Sequence, residues 1–212
     1  MRKQFVLCFA TAIILAIPNS FAQANSQSQA LKEAIQTLSK ARKIGKITSP
    51  SNLPMPYRFL LTQPLMTQGI ETYYQRKAIV KTIYAEKNEA TNSYFRMILM
   101  LIDHNKARNN PEIAQEKKEF EVVELALITM NFNTLPKEVT QDVLSSNIPF
   151  GKSLLNHHIS TKSANRNYFS LPCDQALAVL THCTSGKKLY GRTNSLMLKD
   201  NQWIAHVVEL LL

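Results

Sequence analysis

The chain has 212 residues, 45% of them hydrophobic, with 25 Lys and Arg against 15 Asp and Glu for a formal net charge of +10. That length suits one domain with a proper core, and the charge suits an anionic partner. The basic residues are scattered, with no run longer than a pair, and helix-turn-helix, zinc-finger and aromatic-RNP patterns are missing, so no nucleic acid partner is expected.

Arg2 and Lys3 make a basic start, Phe5 to Ile17 is apolar, and Ala22-Gln23-Ala24 has the small-x-small form of a cleavage site. The apolar stretch is short of the ~20 residues that span a bilayer. These features predict a signal peptide over Met1 to Ala24 and an exported chain, periplasmic or secreted, with no stable membrane insertion after cleavage. The rest divides into a helix and connector over 25–56 and a domain over 57–212. Export leaves Cys173 and Cys183 in an oxidising compartment, where a disulfide between them is expected. No C-x-x-C or His-Cys cluster is present, and His157-His158 would point to opposite faces of a strand, so no metal is expected.

Ser26 to Ile44 reads as a helix, with Leu31, Ile35 and Leu38 at helical spacing and Gly45 as its stop. Lys46 to Pro56 is a connector. Tyr57 to Leu61 is a short helix broken by Pro64, and Ile70 to Gln75 continues for a turn or two. Strand signals then dominate: Lys77 to Ala85, Tyr94 to Ile102 and Glu119 to Asn133. Between the second and third, Asp103 to Lys118 is polar and charged and reads as a long exposed loop. Pro136 to Ser145 looks helical, with Pro at the first position. Ile148-Pro149-Phe150-Gly151 reads as a tight turn, Ile159 to Ser170 as a strand and Asp174 to Leu180 as a short helix. Tyr190 to Lys199 and Trp203 to Leu212 close the chain as a hairpin around Asp200-Asn201. Links between strands are too short for parallel crossovers. The expected fold is therefore α+β, a mainly antiparallel sheet of about six strands with helices packed on one face.

Two charges sit in apolar strands. Glu209 is flanked by Val207, Val208, Leu210, Leu211 and Leu212, and Arg96 shares a face with Tyr94, Ile98 and Met100. An ionised group so placed needs a partner or a ligand. Either the two pair with each other, or they face a cavity, the Arg fork holding a ligand carboxylate and the Glu a hydroxyl. Glu124, between Val123 and Leu125 and close to Glu119 and Glu121, reads as lying at a strand edge. No Gly-rich phosphate loop, serine-protease order or metal spacing is present, and no cofactor is expected.

The order of these pieces resembles chorismate lyase, a family that shares its fold with the ligand-sensing UTRA domains of transcription regulators. The resemblance runs from about Phe59 to the C-terminus. Phe59 to Thr67 is similar to the family's leucine-rich helix end with its Ser-Met-Thr. Tyr94 to Leu99 resembles the strand bearing its carboxylate-binding arginine. Ile148 to Lys152 resembles its Pro-Leu-Gly turn, Tyr190 to Ser195 its Trp-Gly-Arg-Arg-Ser strand, and Val208-Glu209-Leu210 its Thr-Glu-Leu. Where the family carries Gly-Arg-Thr this chain has Ala126-Leu127-Ile128. The resemblance implies Arg96 and Glu209 as catalytic groups at opposite ends of a ring, with Met66, Phe150, Gly151 and Arg192 binding the substrate. It further implies elimination of pyruvate from chorismate to give 4-hydroxybenzoate, without metal or cofactor. The partner expected is a small anionic cyclic or aromatic acid, bound by a monomer. The alternative is an exported binding protein for such an acid without lyase activity.

Overall fold

In the computed structural model the described residues are 19–41, 46–47 and 49–212. The chain runs α1 (Asn19–Ser39), β1 (Lys46–Ile47), α2 (Tyr57–Thr62), α3 (Met66–Tyr74), β2 (Ala78–Asn88), β3 (Ser93–Asp103), α4 (Pro111–Lys117) and β4 (Phe120–Asn131). It continues with α5 (Lys137–Ser145), α6 (Phe150–Asn156), β5 (Lys162–Pro172), α7 (Gln175–Thr181), β6 (Lys188–Met197) and β7 (Trp203–Leu211). The strands form one antiparallel sheet in the order β1-β5-β6-β7-β4-β3-β2.

β3 shows why the sheet is buried on both sides. Successive side chains on a strand point to opposite faces, and in Met97–Ile102 every one of them is apolar. Met97, Leu99 and Leu101 join a core with Ala30, Ala34 and Leu38 of α1 and Leu177 and Leu180 of α7. Ile98, Met100 and Ile102 join another with Leu60 and Leu61 of α2, Met66 and Ile70 of α3, Val139 and Val143 of α5, and Phe150 and Leu154 of α6. The spacing of Ala30, Ala34 and Leu38 makes one stripe on α1, which explains how that helix lies on the sheet.

The fold is the expected antiparallel α+β, with a seventh, two-residue edge strand and a helical layer on each face rather than on one. The second layer follows from β3 and β4, whose near-continuous apolar runs leave neither face wettable. α1 starts and ends earlier than its apolar spacing indicated. It begins ahead of Ala22–Ala24, and residues 1–18 of the expected signal peptide lie outside the described residues. Phe150 and Gly151 open α6 rather than sitting in a turn, with Pro149 just before the first turn.

The stretch 103–118 is not an exposed loop. Asn110 caps α4 by accepting from the Ile113 amide, and Pro111 starts the helix. Asp103 is fully buried and holds the segment from below. It accepts from Arg108 Nε at 2.7 Å and Nη2 at 2.8 Å, and from the amides of Asn105 and Asn110 at 2.7 and 2.8 Å. Composition alone reads such a segment as wet because it cannot show that one aspartate organises the rest.

Cys173 and Cys183 form the expected disulfide, bracketing α7 and tying the end of β5 to the approach to β6. Replacing both by Ala should lower unfolding stability by about 2–3 kcal/mol, the loop-closure value for a short loop. A denaturant midpoint equal to that of the parent would show that the bridge contributes nothing.

Arg108, with the Asn110 and Asn105 amides, holds the Asp103 carboxyl well below the usual carboxylate range, against the opposing effect of burial. A depressed folded pKa contributes stability above the unfolded value, near 4, that is lost as pH falls through the folded one. Asp103→Asn should therefore be less stable than the parent at neutral pH, with the gap closing in urea melts taken below about pH 4. A gap that stays constant into acid would assign the loss to packing instead.

Candidate functional site

The site is built on the face of the sheet that α2, α3, α5 and α6 cover. Strand register sets its floor. Arg96 of β3 stands opposite Ile128 of β4, which stands opposite Val207 of β7 and that opposite Asn194 of β6. One pleat along, the row is Ile98, Ala126, Glu209 and Arg192. One pleat further, Met100 faces Glu124. Directly opposed residues on an antiparallel pair share a face and touch, so Glu209 and Arg192 meet because the β6–β7 hairpin aligns them.

Arg192 is 1% exposed and Glu209 8%. Arg192 Nε donates to Glu209 Oε2 and Nη2 to Oε1 at 3.3 Å, while Nη1 donates to the Leu61 carbonyl at 2.9 Å and to that of Gln63. The last two carbonyls close α2, where backbone acceptors lack intrahelical partners and attract a cation. Gly191, next along β6, permits the close packing there: a Cβ would lie 2.4 Å from Phe169 Cζ and 2.5 Å from the Glu209 carbonyl oxygen.

Above the floor lies a cavity roofed by Pro64–Thr67 and Pro149–Gly151. The space open to the centres of water molecules is about 40 Å³, against the ~10–15 Å³ that one water needs on that measure. As closed here it admits a few waters, and anything larger requires the roof to move. The walls are mostly apolar, with Val80, Ile98, Met100, Ala126, Ile128 and Phe150 among them. Ala126, the smallest floor residue, leaves the hollow beside Glu209.

Of the residues singled out from sequence, Met66, Phe150, Gly151, Arg192 and Glu209 all line this cavity. Arg96 is not on its lining, although Ile98 beside it and Ile128 opposite it are. Arg96 and Glu209 do not pair with each other, since Arg192 has taken that place. Arg96 is wholly buried: Nη1 donates to the Val143 carbonyl at 3.3 Å, and Nε and Nη2 have no partner among the described residues. Burial lowers its pKa to about 10, which leaves it charged at neutral pH.

Glu124, read from sequence as an edge residue, is 2% exposed and lines the cavity. Its Oε2 is buried without a partner among the described residues. Burial, and then the carboxylate of Glu209, push its carboxyl well above the usual range, outweighing the pull of Arg192. The signal that could have found it is alternation: Glu124 falls in step with Ala126, Ile128 and Met130 on one apolar face. His157, at the end of α6, sits 3.0 Å from Asp142 Oδ2, and no group of His, Cys, Asp and Glu able to hold a metal occurs among the described residues.

No protein-family model matches the chain, and no curated protein matches it either. Solved structures do. The effector domain of PhnF from Mycobacterium smegmatis is similar at a TM-score of 0.49 and 10% identity, over 70% of this chain and 91% of that one. A GntR-family transcriptional regulator from Bacillus cereus is similar at 0.42 and 11%, over 64% and 91%. Against the fuller PhnF chain the similarity spans 64% of that protein. At these identities the likeness is at most one of fold, and nothing in it singles out chorismate lyase. The exported localisation expected from the sequence is not sustained: similar structures are described as transcriptional regulators, which conflicts with export, and residues 1–18 of the segment on which export rested lie outside the described residues.

Removing one member of the Arg192–Glu209 pair strands a buried charge. Glu209→Leu should cost about 3–5 kcal/mol in a denaturant melt, and Arg192→Leu combined with Glu209→Leu should recover much of it. A double variant no more stable than the worse single one would mean that the pair does not act as a unit.

Proposed function

We propose that this domain binds a small aromatic or cyclic carboxylic acid, with the acid's carboxylate at Arg96 and its ring over Ala126 and Ile98. The observation that carries this is the state of Arg96. A fully buried guanidinium with two unmatched donors is costly, and a planar carboxylate is the group whose geometry matches them. The register places Arg96 one pleat and two strands from Glu209, with Ile98, Ile128 and Ala126 between. A flat apolar ring suits that floor. Binding of this size requires the Pro64–Thr67 and Pro149–Gly151 segments to part and the cavity to extend past Ile98 and Ile128 to Arg96.

Elimination of pyruvate from chorismate has no support in the geometry or in the similar structures, and the reading is of binding without turnover. Arg192 cannot serve as a second free cation, because its donors already hold Glu209 and the end of α2. Calorimetric titration with benzoate and 4-hydroxybenzoate is expected to show binding by the parent. Arg96→Leu should stay folded and lose at least about tenfold in affinity, since a charged hydrogen bond contributes roughly 1.5–3 kcal/mol. Equal affinity in Arg96→Leu, or no monocarboxylate bound by the parent, would sink the reading.

A further inference from the structure

We propose that Glu124 reads the far end of the bound acid, taking an uncharged hydrogen-bonding group there and turning away a second anion. This rests on the binding reading above and adds to it the group that sets specificity. Three observations converge on Glu124. Its side chain lines the same cavity as Glu209, one pleat along the floor and on the neighbouring strand. It is 2% exposed, and Oε2 has no partner among the described residues. The nearby cation, Arg192, is committed elsewhere, with four hydrogen bonds to Glu209, Leu61 and Gln63.

This end of the cavity therefore holds two carboxyls and one guanidinium. With Glu209 ionised against Arg192, an ionised Glu124 would leave an uncompensated charge in apolar surroundings. Burial and the Glu209 carboxylate raise the Glu124 carboxyl's pKa, which favours its neutral form. A neutral carboxyl offers one O–H donor, and the Glu209 carboxylate keeps lone pairs beyond those that Arg192 uses. Donor and acceptor side by side complement a hydroxyl or a primary amide. A second carboxylate would meet Glu209 with no free cation between them among the described residues.

The test compares two ligands of nearly the same size, 4-carbamoylbenzoate and terephthalate, with benzoate as a control that lacks any far-end group. The parent should bind the carbamoyl acid at least about tenfold more tightly than the diacid, on the scale of one hydrogen bond plus an unpaired charge. Glu124→Gln, which keeps a donor and cannot ionise, should preserve that preference. Glu124→Leu should bring the carbamoyl acid to within about threefold of benzoate measured on the same variant. Equal binding of carbamoyl acid and diacid by the parent overturns the inference with no variant needed, as does an undiminished carbamoyl advantage in Glu124→Leu. Failure of all three acids to bind the parent would instead overturn the binding reading itself, and this inference with it.

Discussion

An arginine and a glutamate facing each other across neighbouring strands hold the sheet to its helical cover. Arg192 and Glu209 are both taken out of water, and the attraction between two such charges offsets the loss of hydration only where hydrogen bonds satisfy what remains. Here the Leu61 and Gln63 carbonyls do so. The pair thus fixes the end of α2, and with it the start of the Pro64–Thr67 segment that roofs the cavity. Gly191 serves the same junction by letting β5, β6 and β7 close up where a Cβ would collide with Phe169 and with the Glu209 carbonyl.

That commitment decides what the other buried charges can do. Once Arg192 is spent on Glu209, neither Glu124 nor Arg96 has a charge partner among the described residues, and register keeps these two apart by two pleats along adjacent strands. A sheet that wanted only stability would have apolar residues at both places, since well-packed hydrophobic groups are often as stable as buried ions or more so. Arg96 keeps its charge behind Ile98 and Ile128, while burial and Glu209 raise the pKa of Glu124 on the floor. The small Ala126 leaves room between them.

Much of this was legible in the sequence. β3, β4 and the β6–β7 hairpin stand out because their apolar runs are long and their breaks polar. Arg96 and Glu209 stand out as charges within such runs. Their partners do not, because pairing depends on register, and register depends on where the 198–202 turn ends as well as on the apolar pattern of the strands. Glu124 was obscured by Glu119 and Glu121, which make the start of β4 look like an edge, although its place two residues before Ala126 puts it with the buried set. The helix within 103–118 was hidden by its polarity. Asn110 and Pro111 marked its start, but the buried Asp103 that organises the segment gives no compositional sign.

Alternation along the strands has a consequence for how such a protein can change. On β3, positions 96, 98 and 100 stand on the side that α5 covers, the last two lining the cavity, while 97, 99 and 101 face α1 and α7. Ligand chemistry and structural support are thus written on the same strands in interleaved letters. A lineage could exchange one ligand for another by altering a handful of same-face positions, each a single codon, without disturbing the layer beneath. A one-residue insertion in β3 would do the reverse, presenting methionine and leucine to the ligand and driving an arginine into the support. Divergence in this fold should therefore run through substitution within the strands, with changes of length confined to the turns.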